Sequence, residues 1–242
     1  MSPSWIFFDA GNTLIGLNYQ LVVEALRAEG LDVREEALRS AETTARRDLD
    51  KAILSRWSSG SLPRTGWVEG KVWTSFWRQV IIACGGTPER SDRLVDAVLK
   101  VTRPASSWDR VDSTTPGVLD ELAARGHRLG VISNSSGTLH DHLERIGLAG
   151  RFEIIIDSSR VGVEKPHPEI FRLALRQAGD LDATGALYVG DVYAIDVLGA
   201  AGAGMSAILF DPQGIWDPGW LRAGDPPCRR LRSLSELPAF IE

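Results

Sequence analysis

The 242-residue chain is 43% hydrophobic and 24% charged, with a formal net charge of −5, the proportions of a globular protein long enough to bury a sizeable core. The acidic balance leaves no basic footprint for nucleic acid, and no apolar run approaches the roughly 20 residues that span a bilayer. Two cysteines, Cys84 and Cys228, make neither a disulfide framework nor a metal cluster; with no basic segment ahead of the first apolar run, the chain reads as cytoplasmic, without a membrane partner.

The first element is Trp5-Ile6-Phe7-Phe8, running straight into Asp9. Four apolar residues without polar alternation suggest a strand buried on both faces, as in a parallel sheet. A carboxylate at the C-terminal end of such a strand lies where open α/β sheets place their ligands, although an aspartate that merely starts a turn makes the same pattern. Residues 19–101 then read as helical throughout. The segments are an apolar stripe from Leu21 closed by Gly30, an Ala-, Glu- and Arg-rich helix over 34–51, an amphipathic helix over 70–83 and another over 89–101. Residues 58–66, with Ser, Gly and Pro, read as a loop. This block predicts a helical insert, residues 18–103, between the first strand and the rest of the sheet, leaving 1–17 and 104–242 as the core. Trp57, Trp67, Trp73 and Trp77 cluster in it; they either fill a small helical core or, for Trp57 and Trp67 on the loop, touch a ligand.

From Pro116 strands and helices alternate. Buried strands are expected at 129–132, 152–157, 186–191 and 205–209, with helices from Pro116 and over 138–146, 168–179 and 192–201. Such βαβ spacing implies a doubly wound, Rossmann-type parallel sheet with right-handed crossovers, carrying an inserted α-helical cap domain. The Pro-, Gly- and Asp-rich tail over 211–227 reads as surface loop, followed by an edge strand over 229–231 and a last helical turn over 234–240.

Four polar clusters fall at or just beyond strand ends: Asp9, Ser133-Asn134, Lys165-Pro166, and Asp191 with Asp196. A doubly wound sheet gathers those ends on one edge. Carboxylates brought together repel unless a cation intervenes, and Mg2+ suits them because it prefers oxygen ligands and keeps part of its shell for water and phosphate. A serine hydroxyl, backbone N–H groups and a lysine suit phosphate oxygens, and an aspartate facing a phosphate can serve as a nucleophile.

In order, Phe7-Phe8-Asp9-Ala10-Gly11-Asn12-Thr13-Leu14, Val131-Ile132-Ser133-Asn134, the stretch from Glu164-Lys165-Pro166 to Phe171, and the stretch from Gly190-Asp191 to Asp196 resemble the four motifs of the haloacid dehalogenase-like hydrolase superfamily. The match lies with the branch whose helical cap follows the first motif, and it covers nearly the whole chain. The resemblance implies a Mg2+-dependent hydrolase of a small phosphorylated metabolite, acting through an aspartyl-phosphate. Asp9 would be the nucleophile. The Asp9 carboxylate, the Gly11 carbonyl and Asp191 would hold the metal, with Asp196 as a further or water-mediated ligand. Ser133 and the amide of Asn134 would bind phosphate oxygens, Lys165 would balance charge, and Thr13 would orient the first loop. Asp196 could instead cap a helix, Lys165 be a solvated surface lysine, and Thr13 a turn residue.

One departure stands out. The family's phosphatases usually carry a second aspartate two positions after the nucleophile, to protonate the leaving group and activate water; this chain has Gly11 there. Loss of such proton transfer typically costs about 10²–10⁴-fold in rate. A slow phosphatase is therefore expected, one that favours good leaving groups and gains from Gly11→Asp; His167, beside Lys165, could stand in as the acid, but a surface or supporting role is the expected one for it. A catalytically weak phospho-ligand-binding or regulatory protein is the alternative, and a metal-free haloacid dehalogenase a more distant one.

Overall fold

A computed structural model describes residues 2–58, 64–66, 71–216 and 228–241. Six parallel strands, β1 (Trp5–Phe8), β2 (Arg128–Ser133), β3 (Ile154–Asp157), β4 (Ala186–Gly190), β5 (Ser206–Phe210) and β6 (Arg229–Leu231), lie in the order β3-β2-β1-β4-β5-β6. The apolar run that opens the chain takes the centre because all four of its side chains find cover. Side chains alternate across a strand. Ile6 and Phe8 therefore join one buried layer, with Leu119 and Leu122 of α5 (Thr115–Ala124) and Leu143 of α6 (Leu139–Arg145). Trp5 and Phe7 join the other, with Ile170 and Phe171 of α8 (Pro168–Gln177), which follows the short α7 (Ser158–Val161). Strand order reverses between β1 and β4, and Phe8 pairs with Val131 on one side and Val189 on the other. The residues that follow β1, β2 and β4 thus emerge side by side at the switch point, where such sheets bind ligands.

Between β1 and α5 the chain forms α1 (Tyr19–Ala28), α2 (Glu35–Ser58), α3 (Lys71–Ala83) and α4 (Ser91–Thr102). Their apolar faces do not enclose a core of their own. Leu26, Leu49, Phe76, Trp77, Val80 and Val98 share one buried cluster with Val192, Tyr193, Ile195, Leu209, Ile215 and Trp216 from the sheet side. Trp73, Phe76 and Trp77 stack edge to face, with centroids 5.4 and 5.3 Å apart. Trp57 falls within α2, but its side chain, like the whole of Trp67 and most of the expected 58–66 loop, lies outside the described residues.

Two segments depart from expectation. The helix expected over 192–201 opens with a π-helical turn, Tyr193–Val197, before α9 (Leu198–Ala201); such turns concentrate at functional sites. The start of the tail is buried: the Asp211 carboxylate accepts the N–H groups of Ile215 (2.7 Å) and Trp216 (3.2 Å) and tucks both side chains into the interior. Residues 217–227 lie outside the description, and α10 (Leu237–Phe240) closes the chain as expected.

Gly130 in β2 shows how closely the sheet is packed, since a Cβ there would sit 2.6 Å from the Phe7 ring. Gly130→Ala should lower stability by about 1–3 kcal/mol through overpacking, read as a lower denaturant midpoint at unchanged slope.

Candidate active site

The sheet edge brings the sequence-predicted residues to one place. Lys165, 2% exposed, reaches from the loop before α8 and donates from Nζ to Asp9 Oδ1 (2.5 Å), Asp196 Oδ1 (2.7 Å) and the Tyr188 hydroxyl (2.8 Å). The three ammonium protons are all engaged, so Lys165 is no solvated surface lysine. Asn134 fixes the base of that lysine: its Nδ2 donates to the Lys165 carbonyl (2.8 Å) and its Oδ1 accepts the Lys165 N–H (2.7 Å). The side chain of Asn134 is thus a brace, which leaves only its backbone for a ligand. Ser133, at the end of β2, is buried and lines the crevice. The loop that follows is tied down by Asp157, which accepts the N–H groups of Gly137 (2.9 Å) and Leu139 (3.1 Å).

Asp196 is more than a helix cap. Its Oδ2 accepts the Val192 N–H (2.9 Å) while Oδ1 takes Lys165. A Cβ on Gly190 would come within 2.4 Å of Asp196 Cγ, so only glycine at the end of β4 lets that carboxylate come so near. Asp9, Asp191 and Asp196, all buried, each offer an oxygen within 4.8 Å of the others. This all-oxygen donor set fits a hard divalent cation such as Mg2+.

Burial dominates the electrostatics. It pushes Asp9 up to about 7 against the pull of Lys165, with the Asp196 and Asp191 charges adding to the rise. Asp191 is also raised, burial outweighing its partner Arg46. Burial pulls Lys165 down, but Asp196 and Asp9 more than compensate and hold it above the usual lysine range, charged. Tyr188 is raised well above its ordinary value, by burial first; it stays protonated and donates to the Ile132 carbonyl (2.9 Å).

Three contributors escape sequence reading. Arg46, on α2, bridges Glu42 and Asp191, so a side chain of the helical insert neutralises one carboxylate of the cluster. Asp50, one turn on and fully buried, accepts the Ala194 N–H (2.7 Å). Burial holds it well above its ordinary value, and its carboxyl clamps α2 onto the π-helical turn. Trp108 lies over Gly11, with ring carbon Cζ3 3.3 Å from where a Cβ would stand. The Glu42–Arg46 spacing of four is visible in the sequence as a helical ion pair, but nothing there points Arg46 at Asp191.

One sequence expectation is met and one corrected. His167 has the supporting role expected of it rather than that of a surrogate acid: its Nδ1 accepts the Glu169 N–H (3.2 Å) as the cap of α8, and it does not line the crevice. Thr13 does not orient its loop through its side chain, whose buried Oγ1 has no hydrogen-bond partner among the described residues. The loop turns instead on Asn12, at φ 55°, with its N–H to the Ile15 carbonyl (2.6 Å); asparagine tolerates this left-handed conformation better than most residues.

A family model of haloacid dehalogenase-like hydrolases matches residues 3–204. The chain belongs to this family. It is 28% identical to the pyrimidine 5'-nucleotidase YjjG of Escherichia coli K12, over 100% of this chain and 99% of that protein. It is 30% identical to a phosphoserine phosphatase of Thermus thermophilus, over 77% and 72% of the two chains. Among solved structures, the magnesium-bound HAD-hydrolase YfnB of Bacillus subtilis superposes with a TM-score of 0.69 at 17% identity, covering 100% of this chain and 99% of that one, a likeness of fold. As in other haloacid dehalogenase-like hydrolases, the sheet is Rossmann-like. Among the described residues, no helix is long and apolar enough to cross a membrane.

The Asp9 proton supplies a test of this electrostatic arrangement. The unfolded chain releases it near 3.8 and the folded chain near 7, so the raised value stabilises the fold at low pH and that contribution is lost as pH rises from about 4 to about 7. In a chelating buffer, denaturant titrations should show the wild type losing stability relative to Asp9→Asn over this window. Parallel curves would show that Asp9 titrates normally.

Proposed function

We propose that the chain is a Mg2+-dependent phosphatase of small phosphorylated metabolites, working through a phosphoryl group carried on Asp9. The observation that carries this reading is the Lys165 ammonium held between Asp9 and Asp196, in a crevice where Asp191 completes an oxygen cluster. Its family membership and the phosphatase among its relatives support it. The few free cysteines accord with a cytoplasmic setting.

Asp9, at the end of β1, presents its carboxylate to phosphorus, and Lys165 holds that carboxylate in position and offsets charge on the phosphoryl oxygens. Ser133 and the Asn134 backbone N–H receive further phosphoryl oxygens at the end of β2. Asp9, Asp191, Asp196 and the Gly11 carbonyl would hold Mg2+, which when bound neutralises phosphoryl charge. The insert over 18–103 acts as the cap: α2 reaches the cluster through Arg46 and excludes water from one side.

A second reading has one observation of its own. Each of the three carboxylates has a cationic side chain as partner, Lys165 for Asp9 and Asp196 and Arg46 for Asp191, an arrangement that a metal-independent dehalogenase could also use. Chloride release from 2-chloro acids in a chelating buffer separates the two.

Under the phosphatase reading, Asp9→Asn should reduce Mg2+-dependent phosphate release to background. Gly11→Asp alone should give no gain, because its Cβ already meets the Trp108 ring at 3.3 Å. The double variant Gly11→Asp/Trp108→Ala, which opens that space, should recover up to about 10²-fold. Restored turnover by Gly11→Asp alone would show that the ring yields.

A further inference from the structure

The crevice over Asp9 is a cavity of about 610 Å³ walled by aromatic side chains: Trp73, Phe76 and Trp77 from α3, and Trp108 from the strand-ward side. Trp108 is not a loose wall. Its Nε1–H donates to the Thr102 carbonyl (2.9 Å), and its own carbonyl receives His142 Nε2 (2.6 Å). A carbonyl can only accept, so His142 carries its proton on Nε2, and its Nδ1 accepts from Arg145 (2.6 Å). His142 lines the same cavity but has no proton to offer a substrate. Glu42, the other acid of the wall outside the carboxylate cluster among the described residues, is held by Arg46 (3.0 Å). At Gly11 the ring of Trp108 lies 3.3 Å from where a Cβ would stand, so an acid there would have to displace it.

We infer, resting on the phosphatase reading, that the substrates are phosphate monoesters of aromatic hydroxyls, phenolic or heteroaromatic, and that Trp108 is the surface on which the leaving ring stacks. Two independent constraints meet in this ligand. Among the described residues the wall offers no free proton donor at Gly11, so the departing oxygen must carry its own negative charge. A phenolic oxygen does so readily, its pKa being about 10 as in tyrosine, whereas an alkyl oxygen, like that of water, carries a negative charge far less readily. A flat ring also matches the Trp wall, where offset or edge-to-face contacts add to the gain from burial.

The step balances without an acid. An Asp9 oxygen forms the bond to phosphorus, and the P–O bond to the ring breaks with its electron pair on the departing aryl oxide, which takes a proton from solvent. Water then bonds to phosphorus, the Asp9–P bond breaks, and inorganic phosphate leaves with Asp9 regenerated. With no free base beside Asp9 among the described residues to activate that water, the second step is the slow one, so aryl substrates should give a burst of one phenol per enzyme before steady turnover.

The test uses the full chain with Mg2+ and a substrate series: 4-nitrophenyl, phenyl and benzyl phosphates, glycerol phosphate, and acetyl phosphate as an activated substrate without a ring. Benzyl phosphate keeps the ring but leaves as an alkyl alcohol. The expected result is kcat/KM falling steeply with leaving-group pKa, with phenyl at least about 10²-fold above benzyl phosphate, and a burst for 4-nitrophenyl phosphate. Trp108→Leu and, where that variant fails to fold, Trp73→Leu should raise KM for phenyl and benzyl phosphates several-fold and leave KM for acetyl phosphate unchanged. Benzyl or glycerol phosphate turned over within tenfold of phenyl phosphate would overturn the inference while leaving the phosphatase reading intact. An unchanged KM for the aryl esters in both Trp variants would overturn the role of the wall. Failure to hydrolyse even 4-nitrophenyl and acetyl phosphates would sink the phosphatase reading and the inference together.

Discussion

The Lys165 ammonium, buried between Asp9 and Asp196, is the constraint on which the rest of the site depends. Taking a charge out of water costs several kcal/mol even after relaxation, and three carboxylates crowded at one sheet edge would each incur that penalty with mutual repulsion added. Lys165 answers two of them with geometry that uses every proton it has. The surrounding structure serves that geometry. Asn134 pins the lysine backbone, Tyr188 accepts the third proton, and the missing side chain at Gly190 lets Asp196 come close enough to share it. The third carboxylate, Asp191, receives its cation from Arg46.

That last contact joins the helical insert to the chemistry. α2 touches the sheet side through Arg46 on Asp191 and Asp50 on the Ala194 N–H, one turn apart on the same helix. Both bonds lie beside the π-helical turn that carries Asp196. The insert also shares its apolar core with Val192, Tyr193 and Ile195 of that segment. Any displacement of α2 therefore disturbs apolar packing and the charge balance of the carboxylates together. Trp108 plays the corresponding part on the other side, since the residues that hold its ring also set the shape of the crevice above Gly11.

Much of this was legible in the chain itself. A run of four apolar residues ending in Asp9, the serine and asparagine after β2, and the glycine and two acids around the end of β4 marked both the parallel sheet and its functional edge. The edge strand at Arg229–Leu231 and the closing helical turn were also readable. His167 stands beside the central lysine in sequence, but the backbone geometry before Pro168 turns its imidazole toward capping α8, in keeping with the supporting role expected of it. The buried start of the tail misled because Pro, Gly and Asp signal turns, and a turn can face inward when an aspartate such as Asp211 satisfies its N–H groups.

The sequence by itself determined the order of strands and helices, the positions of the four polar clusters, and the absence of an acid two residues after Asp9. Those features depend on local periodicity and on residue identity, both of which are written along the chain. Only the tertiary structure decided that Arg46 neutralises Asp191, that Asp50 clamps α2, and that Trp108 packs over Gly11, where the acid is absent. Each of these joins residues tens to more than a hundred positions apart, through contacts that depend on how helices dock on the sheet edge, and a one-dimensional pattern carries no record of that docking.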